Sequence, residues 1–379
     1  MEVFVVLVGA AAVVAVATRR STLVPYSVAL VVLGLVVSAL ELPLQISIGP
    51  ELLLAVLIPG LVFEAAYRID LRDLWPNLAA VGLLATVGVL VTAVGVAALV
   101  WLATGMPFGL AFLVGTMLAA TDPAAVVSVV SHLRAPRRLA TLVEAESLFN
   151  DGTGIVIFVI AIEAFGREVA GSELLIGLVV TVVVSSVIGL GLGALASRLL
   201  AGVQDHLVEL TISLVAAYGS YLLAERLDQS GILATVACGL VFGSYGRRTA
   251  SARAGDAIDT VWEFIGFLMT TLVFLLIGLA ISIPQLAAAA VPAVAALAGL
   301  LLTRAVVVYG LLGAGSAGLE RLGWVQAFPR AWLHLVAWAG LRGAIAVALA
   351  LSLPADLPQR DLLQGTVFGA VLLTLLLQG

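Results

Sequence analysis

Two short polar stretches, each set in apolar sequence, carry side chains that could bind an ion. Thr121 and Asp122 form the first stretch, and Ser147 and Asp151 belong to the second. Ser147 and Asp151 are four residues apart, so on a helix they share a face. Hydroxyl and carboxylate oxygens are hard ligands that suit a small hard cation and suit zinc or copper poorly. The spacing therefore predicts a cation site formed by Asp151, Asp122, Thr121 and Ser147.

The chemistry that such a site allows is competition for one carboxylate. A carboxylate in a partly dry pocket has to be neutralised, because an isolated buried charge is costly. A proton or a metal cation can neutralise Asp151, but the two cannot do so well together. This competition is the physical basis of cation/proton exchange. Glu146 and Asn150 share the neighbouring face of the same predicted helix.

Composition decides the environment in which these residues lie. Of the 379 residues, 62% are hydrophobic and 11% are charged, whereas about a quarter of a soluble domain is charged. Apolar runs of about 18 residues or more recur along the chain, which predicts an all-α polytopic membrane protein. The single cysteine, Cys238, excludes an intramolecular disulfide and a cysteine-based metal cluster. We expect no signal peptide, since residues 1–18 lack a basic start, and a hydrophilic tail could follow Gly379.

Hydropathy divides the chain into thirteen predicted spans, and the arginines between them indicate an orientation. Odd-numbered loops hold thirteen arginines and even-numbered loops hold three. Since basic residues concentrate in cytoplasmic loops, this bias predicts an outside N-terminus and a cytoplasmic C-terminus. The predicted spans are 2–18, 23–40, 50–67, 77–103, 107–131, 139–163, 174–197, 206–224, 230–244, 258–282, 287–313, 331–353 and 361–378.

Two of the spans contain a break in mid-membrane. Span five has Asp122 followed by Pro123, and span twelve has the sequence Gly340-Leu341-Arg342-Gly343. Such breaks are tolerated where other groups or a water-filled cavity satisfy the freed backbone. Spans five and twelve are seven apart, so they run in opposite directions, each at the centre of a three-span unit. This pattern predicts two inverted repeats with two antiparallel discontinuous helices, as in secondary transporters. The plainer alternative is a structural bundle held by interhelical ion pairs.

Four motifs carry a family resemblance: TDPAAVVSV, ESLFNDGTGIVIF, LLTRAVVVY and GLRGAIAVALALSLP. Together they resemble the monovalent cation/proton antiporter family, in its NhaP-type branch of sodium/proton antiporters related to the animal NHE exchangers. The resemblance implies a thirteen-helix, NhaA/NhaP-like fold. It implies scaffold and dimerisation helices at 1–76 and 167–286, and core transport helices at 77–166 and 287–379.

The resemblance also assigns roles, residue by residue. It implies that Asp151 is the principal ion- and proton-binding carboxylate and that Asp122, Thr121 and Ser147 contribute to the cation site. Asn150 stands where electrogenic relatives carry Asp. It further implies that Glu146 pairs with Arg304 and that Arg342 lies where the two broken helices cross.

The expected function is secondary active transport, with Na⁺ or Li⁺ exchanged for H⁺ by alternating access, one for one and electroneutrally. We expect no enzyme activity, no cofactor and no nucleic-acid partner, and a homodimer in the cell membrane. A K⁺/H⁺ antiporter of the same family is the nearest alternative. A cation channel, or an intramembrane aspartyl hydrolase that uses Asp122 and Asp151, remains a more distant one.

Two further acids lie near the inner ends of their spans. Glu64 has Arg68 four residues on, which favours an interfacial ion pair over a role in the site. Glu144 either faces a cytoplasmic funnel or pairs with Arg137 or Arg138.

Overall fold

The computed structural model describes residues 2–20, 26–40, 53–122, 136–165, 171–203, 205–249, 252–316 and 328–378. Each of the thirteen predicted spans contains a helix within these ranges, and seven helices there are long and apolar enough to cross a membrane. The helices are α1 (Glu2–Arg20), α2 (Tyr26–Ala39), α3 (Ile58–Arg68), α4 (Leu71–Thr104), α5 (Phe108–Met117), α6 (Arg137–Ala164), α7 (Gly171–Leu200), α8 (His206–Glu225), α9 (Gly231–Val241), α10 (Ala252–Ala280), α11 (Ala290–Ala314), α12a (Arg330–Trp338), α12b (Ala344–Leu351) and α13 (Arg360–Gln378).

The unit α4–α6 and the unit α11–α13 have the same order of helix types. The first helix of each unit contains a π-helical segment, Leu84–Gly88 in α4 and Val306–Ala314 in α11. The second helix of each unit stops at a non-helical stretch inside its predicted span, residues 118–122 after α5 and residues 339–343 between α12a and α12b. The third helix, α6 or α13, is continuous. α4 and α11 also pack along each other. The described residues thus show the repeated pattern that the two sequence breaks predicted.

Both interruptions fall where the sequence predicted them. α5 ends at Met117, and residues 118–122 are not helical; Pro123 lies outside the described residues. α12a ends at Trp338, and α12b begins at Ala344. The non-helical residues after α5, and those between α12a and α12b, have backbone groups without intrahelical partners, so these residues require hydrogen bonds from elsewhere in the molecule.

The helices pack in two groups. α4, α5, α6, α11, α12b and α13 pack mainly with one another, and α2, α3 and α7–α10 pack mainly with one another. Small residues allow close approach within the second group: a side chain at Gly189 of α7 would overlap the Ala234 carbonyl of α9. A cavity separates parts of the two groups, and the candidate site lies on its wall.

Candidate ion-binding site

The breaks in α5 and α12 are hydrogen-bonded to each other. The Asp122 amide donates to the Leu341 carbonyl at 2.8 Å. Arg342, which is 1% exposed, donates from Nη1 to the carbonyls of Ala119 and Ala120 at 3.0 and 2.8 Å. These carbonyls lie just beyond the C-terminal end of α5, where the helix dipole is negative, so a guanidinium both satisfies and stabilises them.

A glycine brings the Asp122 carboxylate to the start of α12b. A Cβ atom at residue 343 would overlap the Asp122 side chain, so only Gly343 permits this contact. α12b begins at the next residue, Ala344, and helix N-termini carry a positive partial charge. Where the two breaks meet, Arg342 therefore lies at the C-terminal end of α5, and Asp122 lies at the N-terminal start of α12b.

One face of α6, which we call the cavity face, carries Ser147 and Asp151. Ser147 Oγ donates a hydrogen bond to the Thr121 carbonyl. A hydroxyl has one proton, so this bond leaves the Ser147 lone pairs available to a cation. Asp151 and Asp122 are partly exposed, whereas Thr121 and Ser147 are 4% and 2% exposed. The structure thus brings the four predicted ligand residues around one place.

A cavity of about 360 Å³ leads to this place. It lies between the two helix groups. Its polar lining comprises Glu64, Arg68, Thr121, Asp122, Glu144, Ser147, Asp151 and Thr270; its apolar lining includes Ile58, Leu61, Val62, Val273 and Phe274. Arg68 is half exposed. A cation in the cavity would meet oxygen ligands at its inner end.

The neighbouring face of α6, which we call the arginine face, carries Glu146 and Asn150. Glu146 is ion-paired with Arg304, with Oε2 and Nη2 3.0 Å apart, and the two side chains are 2% and 8% exposed. Arg304 also donates from Nη2 to the Val336 carbonyl at 2.7 Å. The bidentate pair and this carbonyl hold Arg304 in a fixed place, so Glu146 has a permanent counter-charge.

The amide nitrogen of Asn150 links the arginine face of α6 to Thr121, which follows α5. Nδ2 donates to Glu146 Oε1 at 3.3 Å and to Thr121 Oγ1 at 3.4 Å. Asn150 is 3% exposed and is absent from the wall of the large cavity. Asn150 therefore orients Thr121 from the side away from the large cavity, and it does not face the point where the four ligand residues meet.

The two acids near the span ends are both part of the cavity wall. Glu64 forms the predicted ion pair with Arg68, yet it also lines the cavity, which the sequence interpretation had disfavoured. Glu144 lines the cavity as well.

The predicted alternative pairing of Glu144 with Arg137 or Arg138 is wrong. Arg137 pairs with Asp73 at 2.9 Å, and Arg138 Nε donates to Asn77 Oδ1 at 3.1 Å. Both arginines are therefore used to attach the start of α6 to the start of α4.

Several contributors to the site were not predicted from sequence. They are the Val336 carbonyl that accepts from Arg304, the Thr374 hydroxyl that accepts from the Arg342 amide at 3.3 Å, and the α10 residues Thr270 and Phe274. A backbone carbonyl has no sequence signature. The hydroxyls lie within long apolar helices, where Thr is common, so no local signal marks them.

Two discontinuous helices whose breaks meet beside carboxylates define a class of membrane carriers built from inverted repeats. The family model described as "Sodium/hydrogen exchanger, transmembrane" matches residues 4–379. This chain belongs to the sodium/hydrogen exchanger family.

Relatives and a solved structure agree with this assignment. The low-affinity Na⁺/H⁺ antiporter NhaS1 of Synechocystis sp. is 36% identical over 359 residues, which cover 94% of this chain and 68% of the relative. The Na⁺/H⁺ antiporter ApNhaP of Aphanothece halophytica is 37% identical over 364 residues, with the same two shares covered. The structure of the sodium proton antiporter MjNhaP1 from Methanocaldococcus jannaschii matches the fold with a TM-score of 0.79 at 22% identity and covers 100% of this chain and 96% of that chain.

Proposed function

We propose that this protein exchanges Na⁺ or Li⁺ for H⁺ across the membrane by alternating access. Asp151 is the carboxylate for which cation and proton compete, and Asp122, Thr121 and Ser147 complete the cation site. The observation that carries the proposal is that Asp151 and Ser147 line the cavity while the nearby acid Glu146 is already neutralised by Arg304. The relatives named as Na⁺/H⁺ antiporters support the same exchange.

The exchange is electroneutral in this proposal. Asn150 cannot titrate, so the site has one acid fewer than an Asp-Asp pair would provide at positions 150 and 151. Asp122 acts in cation coordination, and the loaded site alternates between one cation and one proton. The fixed charges of Arg342 and of the Glu146–Arg304 pair are the same in both loaded states and cancel.

We assign the core transport unit to residues 77–166 and 287–379, and the scaffold to 1–76 and 167–286. The two packing groups and the cavity between them support this division. The charges that fix the crossing, Arg342, Glu146 and Arg304, all belong to the core. The scaffold supplies the opposite, largely apolar wall of the cavity.

The cavity faces the cytoplasm in this proposal. Its wall includes Arg68, at the end of α3 and close in sequence to Arg72 at the start of α4, and such arginines between spans remain inside. The N-terminus is then outside, the C-terminus cytoplasmic, and the location the cell membrane. No cofactor takes part, because transport requires no covalent step. A homodimer through the scaffold rests on the family resemblance, and chemical cross-linking in membranes tests it.

The test is ion-driven proton movement in proteoliposomes that contain a pH-sensitive dye. An outward-directed Na⁺ or Li⁺ gradient should acidify the lumen, and the rate should saturate with cation concentration. An equal response to K⁺ would identify a K⁺/H⁺ antiporter instead. Cation conductance without proton countertransport would identify a channel. No cation-dependent proton flux of any kind would leave the hydrolase alternative, for which peptide cleavage in the membrane is the assay.

A further inference from the structure

A second, much smaller cavity lies beside the arginine face of α6. Its volume is about 10 Å³, and Thr121 lines both this cavity and the large one. α4 forms much of its wall. The lining residues are Leu84, Gly88, Val89, Thr92, Ala119, Thr121, Asn150, Arg304, Val307 and Arg342.

Two buried polar atoms that belong to the lining residues have no hydrogen-bond partner among the residues that the structure describes. They are Asn150 Oδ1, an acceptor, and Arg342 Nε, a donor. Arg342 Nη1 is already occupied by the two carbonyls at the end of α5. Leaving a buried donor or acceptor unsatisfied is costly because the lost hydration is not replaced, so a ligand that serves both atoms would be strongly favoured.

The orientation of the Asn150 amide is fixed by its other neighbours. Nδ2 donates to Glu146 Oε1, and a carboxylate that is ion-paired with Arg304 can only accept. Exchanging the amide oxygen and nitrogen would place Oδ1 against that carboxylate. Asn150 Oδ1 therefore remains the atom without a partner.

The chemistry of the two atoms selects the ligand. It has to accept a hydrogen bond from Arg342 and donate one to Asn150. An anion could not donate to Asn150 Oδ1, and a metal cation would be repelled by Arg342 and Arg304. A neutral molecule that both donates and accepts is required, and a cavity of roughly 10–15 Å³ holds one water.

We propose that this cavity is a binding site for a single structural water that bridges Arg342 Nε and Asn150 Oδ1. The water links the crossing of the broken helices to the arginine face of α6. It holds the Asn150 amide so that Nδ2 stays directed at Thr121 and Glu146. The water site shares Thr121 with the proposed cation site, and its test does not depend on which cation the protein carries.

A density map of the complete protein at a resolution that shows ordered water is the first test. We expect a peak within hydrogen-bond distance of both Arg342 Nε and Asn150 Oδ1. A cavity of the same size without such a peak would overturn the proposal. So would a peak too heavy for water, which would mean an ion.

Hydroxyl-radical labelling from X-ray radiolysis provides a second test, because bound water generates radicals that modify adjacent side chains. Val89 lines the cavity, whereas Val96 lies on the same helix away from it, and the two side chains are 1% and 0% exposed. We expect labelling of Val89 several-fold above that of Val96. Equal labelling of the two valines would contradict the proposal.

The variant Val89→Ile distinguishes a wet cavity from a dry one. The added methyl group should displace the water, so labelling of Leu84 should fall several-fold and the Tm should decrease, because two polar atoms lose their partner. A higher Tm would mean that the methyl group fills an empty cavity, and the proposal would be wrong.

Discussion

The cavity face and the arginine face of α6 are one residue apart along the helix, yet they have opposite electrostatic surroundings. On the cavity face, Asp151 has no ion pair among the described residues and is partly exposed to the cavity. On the arginine face, Glu146 is 2% exposed and paired with Arg304. Both residues are carboxylic acids in the same helix. The difference is that Glu146 is bonded directly to a basic side chain, whereas no basic side chain of the described residues forms an ion pair with Asp151.

This difference explains how one helix can serve both structure and transport. A permanent pair such as Glu146–Arg304 balances its desolvation only while both partners remain in place. A carboxylate on a cavity wall can instead exchange one neutralising group for another at each cycle. The following four predictions test the comparison, from the largest expected effect to the smallest.

Asp151→Asn should reduce exchange to the level of protein-free liposomes. The amide keeps the shape of the side chain but cannot take up a proton or supply a negative charge to a cation. The measurement is Na⁺-driven proton flux in proteoliposomes, with size-exclusion chromatography to confirm folding. Asp356→Asn, in an exposed loop, is the matched control and should retain the parent rate. Parent-like exchange by Asp151→Asn would remove Asp151 from the cavity-face mechanism.

Glu146→Ala should lower the free energy of unfolding by about 3–5 kcal/mol, because it leaves the buried charge of Arg304 without its partner. Thermal unfolding in detergent measures the effect as a fall in Tm. Glu163→Ala is the matched control, since Glu163 is exposed on the same helix and surface changes usually stay within about 0.5 kcal/mol. If the two variants melted at the same temperature, Glu146 would not be the structural acid of the arginine face.

Ser147→Ala should weaken cation binding without preventing exchange. The loss of one ligand oxygen is worth about 1 kcal/mol, which corresponds to a rise of roughly 5-fold in the apparent KM for Na⁺. Thr153→Ala removes a hydroxyl that donates to the Phe149 carbonyl on the same helix but does not line the cavity. An unchanged KM for Ser147→Ala, or an equal change for Thr153→Ala, would exclude Ser147 as a ligand.

Membrane potential should not change the rate or the reversal point of exchange. Movement of one net charge would couple at about 2.3 kcal/mol per 100 mV, but one cation for one proton moves none. Proteoliposomes clamped at several potentials with K⁺ and valinomycin test this. A shift with potential would mean that exchange moves net charge, because Asp122 or another acid takes up and releases a proton during the cycle.

Much of the fold followed from the sequence because the bilayer permits few solutions. Apolar length predicted where each helix lies, and Gly340 to Gly343 predicted the break in α12, since such a run weakens a helix. The sequence could not reveal that Leu341 accepts from Asp122 or that Val336 accepts from Arg304. In both contacts the acceptor is a backbone carbonyl of a distant segment, and every residue has the same backbone carbonyl.

The candidate site shows the same limit. Ser147 and Asp151 could be placed on one face because helical spacing fixes their relation. Glu144 could not be assigned, since nothing in its local sequence shows that Arg137 and Arg138 are used by α4. The small cavity was also beyond prediction, because its lining residues come from distant parts of the chain and several, such as Leu84 and Val89, are ordinary apolar residues.

The mostly apolar wall that α3 and α10 present to the large cavity has a mechanical consequence. Dispersion contacts of side chains such as Val62, Val273 and Phe274 have no preferred direction, and each is weak. Displacement of the group that contains α4–α6 along such a wall would exchange one set of contacts for a similar set. The directional bonds at Arg342 and Arg304 lie inside that group and would move with it. Resistance to sliding is thus low where the two groups of helices face each other across the cavity, and rigidity is high around the candidate ion site.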